Sequence, residues 1–276
     1  MNEIIHDYYL KNHSKIKSLD DLGNEIDSIF KEISNQKIVP VTDFYPTKRD
    51  VEKFPENTWL LHIKFKLKKP CHSRDERISE CNNPILRDRL LGCPMVAPST
   101  WKGNLRFASG KVEGDNKEII NRLFGPESDN DESARKGRLY FYPTFLIGKV
   151  EKDVITPLSR ETRTPVKGKA PISMEVVPAG ETGDFYLLYF PYPKDKDWKP
   201  KEIKEDMEFI ARAMEIMFLE YGFSAKKTSG FGVIHKTFED FSLCWDGKNK
   251  ENNIISGKVK NFEQLHEETA KIGVAK

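Results

Sequence analysis

Nowhere does this sequence string together the roughly 18 apolar residues that a membrane-spanning helix needs, and its first ten residues, MNEIIHDYYL, lack a basic start followed by a long apolar run. The expectation is a soluble, cytoplasmic chain with no membrane partner. Cysteine is scarce as well: four residues, at positions 71, 81, 93 and 244, fall far short of a disulfide scaffold and agree with a reducing compartment. Neither charge is in excess, since 45 Lys and Arg stand against 43 Asp and Glu for a net charge of +2. Any basic surface must therefore be local, made by placement and not by composition. No internal repeat or low-complexity tract interrupts the chain. Neither Gly-x-x-x-x-Gly-Lys-(Ser/Thr) nor Gly-x-Gly-x-x-Gly is present, which removes the usual phosphate loops of nucleotide-dependent enzymes.

What is present is the composition of a folded domain: 38% hydrophobic and 32% charged residues over 276 positions, enough for a sizeable core in one elaborated domain. Residues 18–36 place Leu22, Ile26, Ile29, Phe30 and Ile33 at helical spacing behind a Ser/Asp start. Residues 58–70, TWLLHIKFKLKKP, alternate Leu61, Ile63, Phe65 and Leu67 with His62, Lys64, Lys66 and Lys68, the period of a strand with one apolar and one basic face. A helix follows over 98–109 and a shorter one over 117–125, while 137–146 and 184–192 read as strands. Residues 203–222 carry Ile203, Met207, Ile210, Ala211, Met214, Met217 and Phe218 on one face of a long helix, a methionine-rich stripe most simply explained as core. Residues 229–238 are expected to return as a strand, and NFEQLHEETAKIG as a terminal helix.

Strand, helix, strand, strand, helix, strand is the order of an α+β, ferredoxin-like (RRM-like) βαββαβ core, here with an insertion between the second and third strands and helical extensions at both ends. The expected boundaries are 1–56 for the N-terminal extension, 57–240 for the core with its insertion at about 150–182, and 241–276 for the C-terminal extension. Such a sheet leaves one face open to a ligand, and domains of this topology commonly lay single-stranded RNA across it.

Residues 82–106, NNPILRDRLLGCPMVAPSTWKGNLR, concentrate four basic side chains, three prolines and two glycines. Pro98 suits a helix start, Ser99 or Thr100 can cap it, and Lys102 and Arg106 fall four apart on one face. A helix N-terminus with hydroxyls and paired cations is an anion site; a capped surface helix with solvated cations is the plainer reading. Residues 226–232, KKTSGFG, add Lys226, Lys227, Ser229, Gly230 and Gly232, whose amides can face phosphates unless the segment is simply a turn. Residues 154–180 hold Arg160, Arg163, Lys167 and Lys169 among Pro157, Pro165 and Pro171, and are too long for a compact turn. With Val154, Ile155, Leu158, Val166 and Ile172 interspersed, this segment either wedges between bases while touching phosphates or is a solvated basic loop.

The 82–106 segment resembles the signature of the CRISPR-associated RAMP superfamily, with Pro84, Arg87, Asp88, Gly92, Pro94, Pro98, Ser99, Trp101, Lys102, Gly103, Leu105 and Arg106 in the matching places. LFG at 123–125 ahead of GRLYFYP, ISMEVVPAGETGDFYL at 172–187 and KTSGFGVI at 227–234 follow in the superfamily's order, so the likeness runs from about 58 to 238. Within the superfamily the chain resembles Cas-seven family backbone subunits of type III and related effector complexes. That resemblance implies a CRISPR RNA-binding subunit which polymerises with copies of itself along the guide as a helical filament. It would hold the duplex of guide and target RNA beside other effector subunits, a separate nuclease among them. It places Arg87, Ser99, Trp101, Lys102 and Arg106, with Lys226, Lys227, Ser229, Gly230 and Gly232, against the RNA. It also makes the insertion a thumb hairpin in which Arg160, Arg163, Lys167 and Lys169 reach across the duplex.

In cleaving members of that family the residue two before the signature's first proline is an aspartate acting with a divalent metal; here it is Asn82. An amide neither carries the charge that organises Mg²⁺ or Mn²⁺ nor takes a proton from a 2′-hydroxyl at neutral pH. The expectation is a subunit that holds RNA without cutting it. If it does act as a metal-dependent endoribonuclease, Asp75, Glu76 and Glu80 in the same loop are the substitutes to consider; otherwise they are solvated charges. A metal-independent endoribonuclease that processes CRISPR RNA, with His62 or His72 as base, is a third reading. Cys71, His72, Cys81 and Cys93 are ligand types for a structural zinc, and some relatives carry zinc in this region. The spacing nevertheless lacks a Cys-x-x-Cys knuckle and sets Cys71 beside His72, so free buried thiols are the plainer expectation.

Overall fold

Burial of period two along Trp59–Lys66 sets the centre of the fold, with Trp59, Leu61, Ile63 and Phe65 at most 3% exposed. The computed structural model describes residues 44–74, 83–88, 91–126, 136–146, 148–157, 159, 161–162, 164–166, 168–192, 199, 201–245, 254–256 and 258–271. The helix expected at 18–36 lies outside them. In chain order the elements are α1 (Lys48–Val51), β1 (Trp59–Lys66), β2 (Met95–Val96), α2 (Pro98–Ser109), α3 (Lys117–Phe124), β3 (Leu139–Phe141), β4 (Thr144–Phe145), β5 (Glu151–Ile155), β6 (Ile172–Val176), β7 (Thr182–Tyr189), α4 (Glu202–Glu215), β8 (Asp240–Trp245), β9 (Ile254–Ser256) and α5 (Phe262–Lys271). No helix among the described residues is long and apolar enough to cross a membrane.

β1 lies between β7 and β8, antiparallel to both, so that Leu61 faces Leu187 on one side and Leu243 on the other. β3 extends the sheet beyond β7 and β9 extends it beyond β8. β2 with β4, and β5 with β6, form two separate antiparallel pairs. The chain is thus a mixed helix and sheet protein built on antiparallel sheets.

One face of the central sheet carries the core. Leu61, Ile63, Phe65, Phe185, Leu187, Phe241 and Leu243 pack under Trp101, Leu105 and Ala108 of α2, under Ile203, Met207, Ile210 and Met214 of α4, and under Phe262 and Leu265 of α5. Each such fully buried side chain contributes about 1.5–3 kcal/mol, and the methionine stripe is core as expected. Trp101 pins α2 to the sheet edge-on to Phe185, and its Nε1 donates to Thr144 Oγ1 at 3.0 Å. Asp206 of α4, fully buried, accepts from Arg122 Nε (2.6 Å), Arg138 Nη1 (3.0 Å) and the Tyr189 hydroxyl (2.8 Å), tying α3, the approach to β3, and β7 to one helix.

Three expectations need correction. The strand expected at 229–238 is absent: Lys227–Ser229 form a 3-10 turn, and Ile234 makes one isolated bridge to Leu67. The strand that pairs with β1 on that side is β8, which starts at Asp240, just past the expected strand. The span 137–146 is two strands in two sheets, parted at Pro143, which has no N–H to continue a ladder. Thirdly, the second face of the sheet is not open. Leu60 and Leu188 pack with Val51 of α1 and with Phe54, Tyr140, Tyr142 and Tyr186, and Tyr45 stacks on Tyr186 at 4.1 Å. The chain's own Tyr45, Val51 and Phe54 occupy the part of that face around Leu60, Leu188 and Tyr186.

Candidate nucleic-acid interface

The segment at 70–74, just past β1, gathers the motifs. The Cys71 and Val177 backbones exchange hydrogen bonds at 2.8 and 2.9 Å, joining it to the root of the β5–β6 hairpin. The His72 carbonyl accepts from Ala225 N–H at 2.9 Å and Pro70's from Gly232 N–H at 2.8 Å, joining it to the glycine-rich turn. Leu86 N–H donates to the Ser73 carbonyl, and Arg74 bridges Ile85, joining it to the signature loop.

The hairpin is gripped from both faces at its root. On one face Ile155, Met174 and Val176 pack on Phe231 of the glycine turn. Glu175, on the other face by strand alternation, accepts from the Ile85 amide at 3.0 Å and from Arg87 Nη2 at 3.3 Å. Asn83 adds a bond from its Nδ2 to the Ser173 carbonyl (3.0 Å), and its own carbonyl accepts from Glu175 N–H (3.2 Å). Further out the hairpin is bare: Val154 is 57% exposed and Ile172 37%.

α2 and the glycine turn lie side by side, since Asn104 Nδ2 donates to the Phe223 carbonyl at 2.9 Å and Lys227 Nζ sits 4.6 Å from the Phe107 ring centre. Ser99 and Lys102 present themselves to solvent on the helix, as do Lys226, Thr228 and Ser229 on the turn. The helix cap is Ala97 with Pro98 next, and no side chain caps it, so the hydroxyls of Ser99 and Thr100 do not perform the expected capping. No acidic residue lies in the first helical turn. Lys226 and Gly230 both adopt left-handed backbone, and open space surrounds Gly230.

Several residues expected to face RNA are structural. Trp101 is fully buried in the core, and Arg87, 2% exposed, is engaged by Glu175 and the Gly92 carbonyl. Gly232 is buried with φ 75, and a Cβ there would meet the Ser224 backbone nitrogen at 2.6 Å, so it is a packing glycine. Arg106 is half-buried and donates to the Gly125 carbonyl at 3.0 Å. Lys169 is exposed on the hairpin, whereas Arg160, Arg163 and Lys167 lie outside the described residues, as do Asp75, Glu76, Glu80 and Asn82. Phe107 and Phe231 were missed by sequence reasoning, because an isolated aromatic in a helix or a glycine turn gives no periodic signal.

Burial pushes the thiols of Cys71 and Cys93 up to about 12, and His72 donates Nδ1–H to the Glu175 carbonyl at 2.7 Å. Among the described residues Cys71, His72 and Cys93 do not converge as a metal-ligating group; the fourth candidate zinc ligand, Cys81, lies outside them. Burial also lowers the pKa of His72, which is 1% exposed and unsuited to reach RNA as a base. His62 lies on the covered sheet face, its Nε2 2.8 Å from Asp184 Oδ1 and its ring stacked on Tyr186.

Known proteins share this architecture. The family model of the RAMP superfamily matches residues 64–235. Two proteins named CRISPR system Cms endoribonuclease Csm3 are similar in sequence: that of Streptococcus thermophilus is 25% identical over 172 residues and that of Mycobacterium tuberculosis 29% over 185, each alignment covering 57% of this chain and 75% of the relative. In fold, the chain resembles a subunit of a type III-B Cmr-beta complex bound to cognate target RNA, with a TM-score of 0.50 and 16% identity over 82% of this chain and 77% of the other. It also resembles a chain of a Csm3–Csm4 subcomplex from a type III-A interference complex, with a TM-score of 0.50 and 20% identity over 79% and 97%.

The grip on the hairpin makes a prediction. Glu175→Ala removes the carboxylate that compensates a buried guanidinium and should cost about 3 kcal/mol of stability. Hydrogen exchange should show amides of 83–88 and 172–176 losing protection while β1 and β7 keep theirs. Equal protection throughout in the variant would show that the pair does not fix the loop to the hairpin.

Proposed function

Since the chain belongs to the RAMP superfamily, we propose that it is a backbone subunit of a type III-like CRISPR effector complex, binding CRISPR RNA on the surface around residues 70–74. Copies of it stack along the guide as a filament and hold the guide–target RNA duplex. One observation carries the reading: two cation-bearing elements, α2 with Lys102 and the 226–230 turn with Lys226 and Lys227, lie side by side, and Phe231 next to the turn packs on the root of an exposed hairpin. A helix start without a side-chain cap attracts anions, and the neighbouring lysines add charge where RNA presents phosphates.

The strand order β3, β7, β1, β8, antiparallel throughout, with α2 and α3 after the first strand in sequence and α4 before the last, supports a ferredoxin-like core. In this reading the β5–β6 hairpin is the thumb, with Val154 and Ile172 suited to press between bases and Lys169 to meet phosphate. Arg160, Arg163 and Lys167, which fall between the two strands in sequence, would add to its charge. Residues 1–56 extend the core on its N-terminal side, and the protein works in the cytoplasm with other effector subunits.

The relatives are named endoribonucleases, which favours cleavage as a second reading. Against it, the position of the family's aspartate holds Asn82, an amide that cannot serve as a charged ligand or base. The chain therefore holds the target, and a separate nuclease subunit destroys it.

Two outcomes test these readings. Wild-type protein should retain guide RNA with an affinity that falls with log salt. Lys102→Ala with Lys226→Ala should lower that slope by about 1.4, at roughly 0.7 per lost single-strand phosphate contact; an unchanged slope and affinity would take these lysines out of the interface. With Mg²⁺ and no nuclease subunit, the assembled protein should leave bound target RNA intact, and Asn82→Asp should gain weak cuts at one per copy. Regular cuts by the wild type, lost in Asp75→Ala, Glu76→Ala or Glu80→Ala, would establish the endoribonuclease reading instead.

A further inference from the structure

Helical spacing puts Ser99, Gly103 and Phe107 in one line along the outer face of α2. Gly103 is exposed, and a Cβ added there would meet nothing within 4 Å. The line is thus a bare strip of helix that ends at a projecting ring, since Phe107 is 43% exposed. The ring is nevertheless held in place. Tyr221 packs against it edge-on, with centres 5.2 Å apart and planes at 79°, while Lys227 and Lys111 bring their ammonium nitrogens to 4.6 and 5.3 Å from its centre. Among the described residues no carboxylate pairs with Lys102, Lys111, Lys226 or Lys227. Burial lowers the pKa of Lys227, a cation that has already lost part of its water and gains the more from an anion.

We propose that Phe107 is a stacking platform for one base of the RNA strand bound on this surface, with Lys111 and Lys227 passing from the ring to the phosphates flanking that nucleotide. The inference rests on the RNA-binding reading and deepens it, by fixing one nucleotide per copy against a ring. A protein partner suits the surface less well, because the buried centres of protein contacts are depleted in lysine, and here two lysines lie over a single aromatic. A polyanion whose units are flat π-systems supplies both complements at once. An arriving base displaces an ammonium from the ring face, and the displaced ammonium meets the phosphate that arrives with the base. Tyr221, packed perpendicular to the ring, keeps the platform from turning.

The test titrates the full-length protein with single-stranded RNA carrying 2-aminopurine at successive positions. In the wild type, fluorescence is quenched at one position per bound copy. Phe107→Leu keeps apolar surface but removes the π-face; it should abolish that quench and weaken binding by about 5- to 150-fold, with the salt slope unchanged. Phe107→Trp should restore both. Quenching and affinity unaltered in Phe107→Leu would overturn the proposal. So would loss of self-association with RNA affinity intact, which would assign the ring to a contact between copies. Failure of the wild type to bind RNA at all would overturn the function reading itself, and shows in the first titration before any variant is made.

Discussion

Glu175 holds together three stretches that lie far apart in sequence. Its carboxylate takes the Ile85 amide and the Arg87 guanidinium, its carbonyl takes His72, and its amide donates to the Asn83 carbonyl. Buried ion pairs contribute little net stability compared with an apolar replacement, yet losing one partner is costly. The value of this pair is therefore in what it specifies: the signature loop sits at one face of the hairpin root while Phe231 fills the other. Left-handed Gly230 and Gly232 on either side of Phe231 let the chain turn sharply enough to insert that ring.

Fixed in this way, the hairpin root adjoins the glycine turn through Phe231, and the turn adjoins α2 at Asn104 and Phe107. A net charge of +2 leaves no general attraction for RNA, so position decides. On β1, Lys64 stands opposite Asp184 on one neighbour and Asp240 on the other, so its charge is offset within the sheet. Lys102 and Lys226 have no such neighbour across a ladder. Residues 45–54 meanwhile lie over part of the other sheet face with Tyr45, Val51 and Phe54.

Much of this was legible from pattern. α2 begins at Pro98 and ends at Ser109 as its proline and periodicity predict, and the alternation in β1 separates core from covered face residue by residue. The last strand was not legible, because Val233 and Ile234 look like strand residues; the backbone there instead bonds irregularly, Ile234 N–H to the Phe218 carbonyl and His235 N–H to the Lys66 carbonyl. Long-range contacts of this kind leave no local trace. The same holds within the site: a family signature names positions without separating residues that face RNA from those that hold the loop. Trp101 and Arg87 belong to the second group, as burial and hydrogen bonding show, and Lys102 is left exposed beside them.

The central claim is that RNA lies on the hairpin side and not across the covered sheet face. Photo-crosslinking of the protein to RNA containing 4-thiouridine, with the attached peptides identified by mass spectrometry, tests it most directly. The account predicts crosslinks within 98–111, 222–232 and the β5–β6 hairpin. Crosslinks concentrated instead on 60–66, 184–188 and 240–244 would contradict it and return the RNA to the sheet.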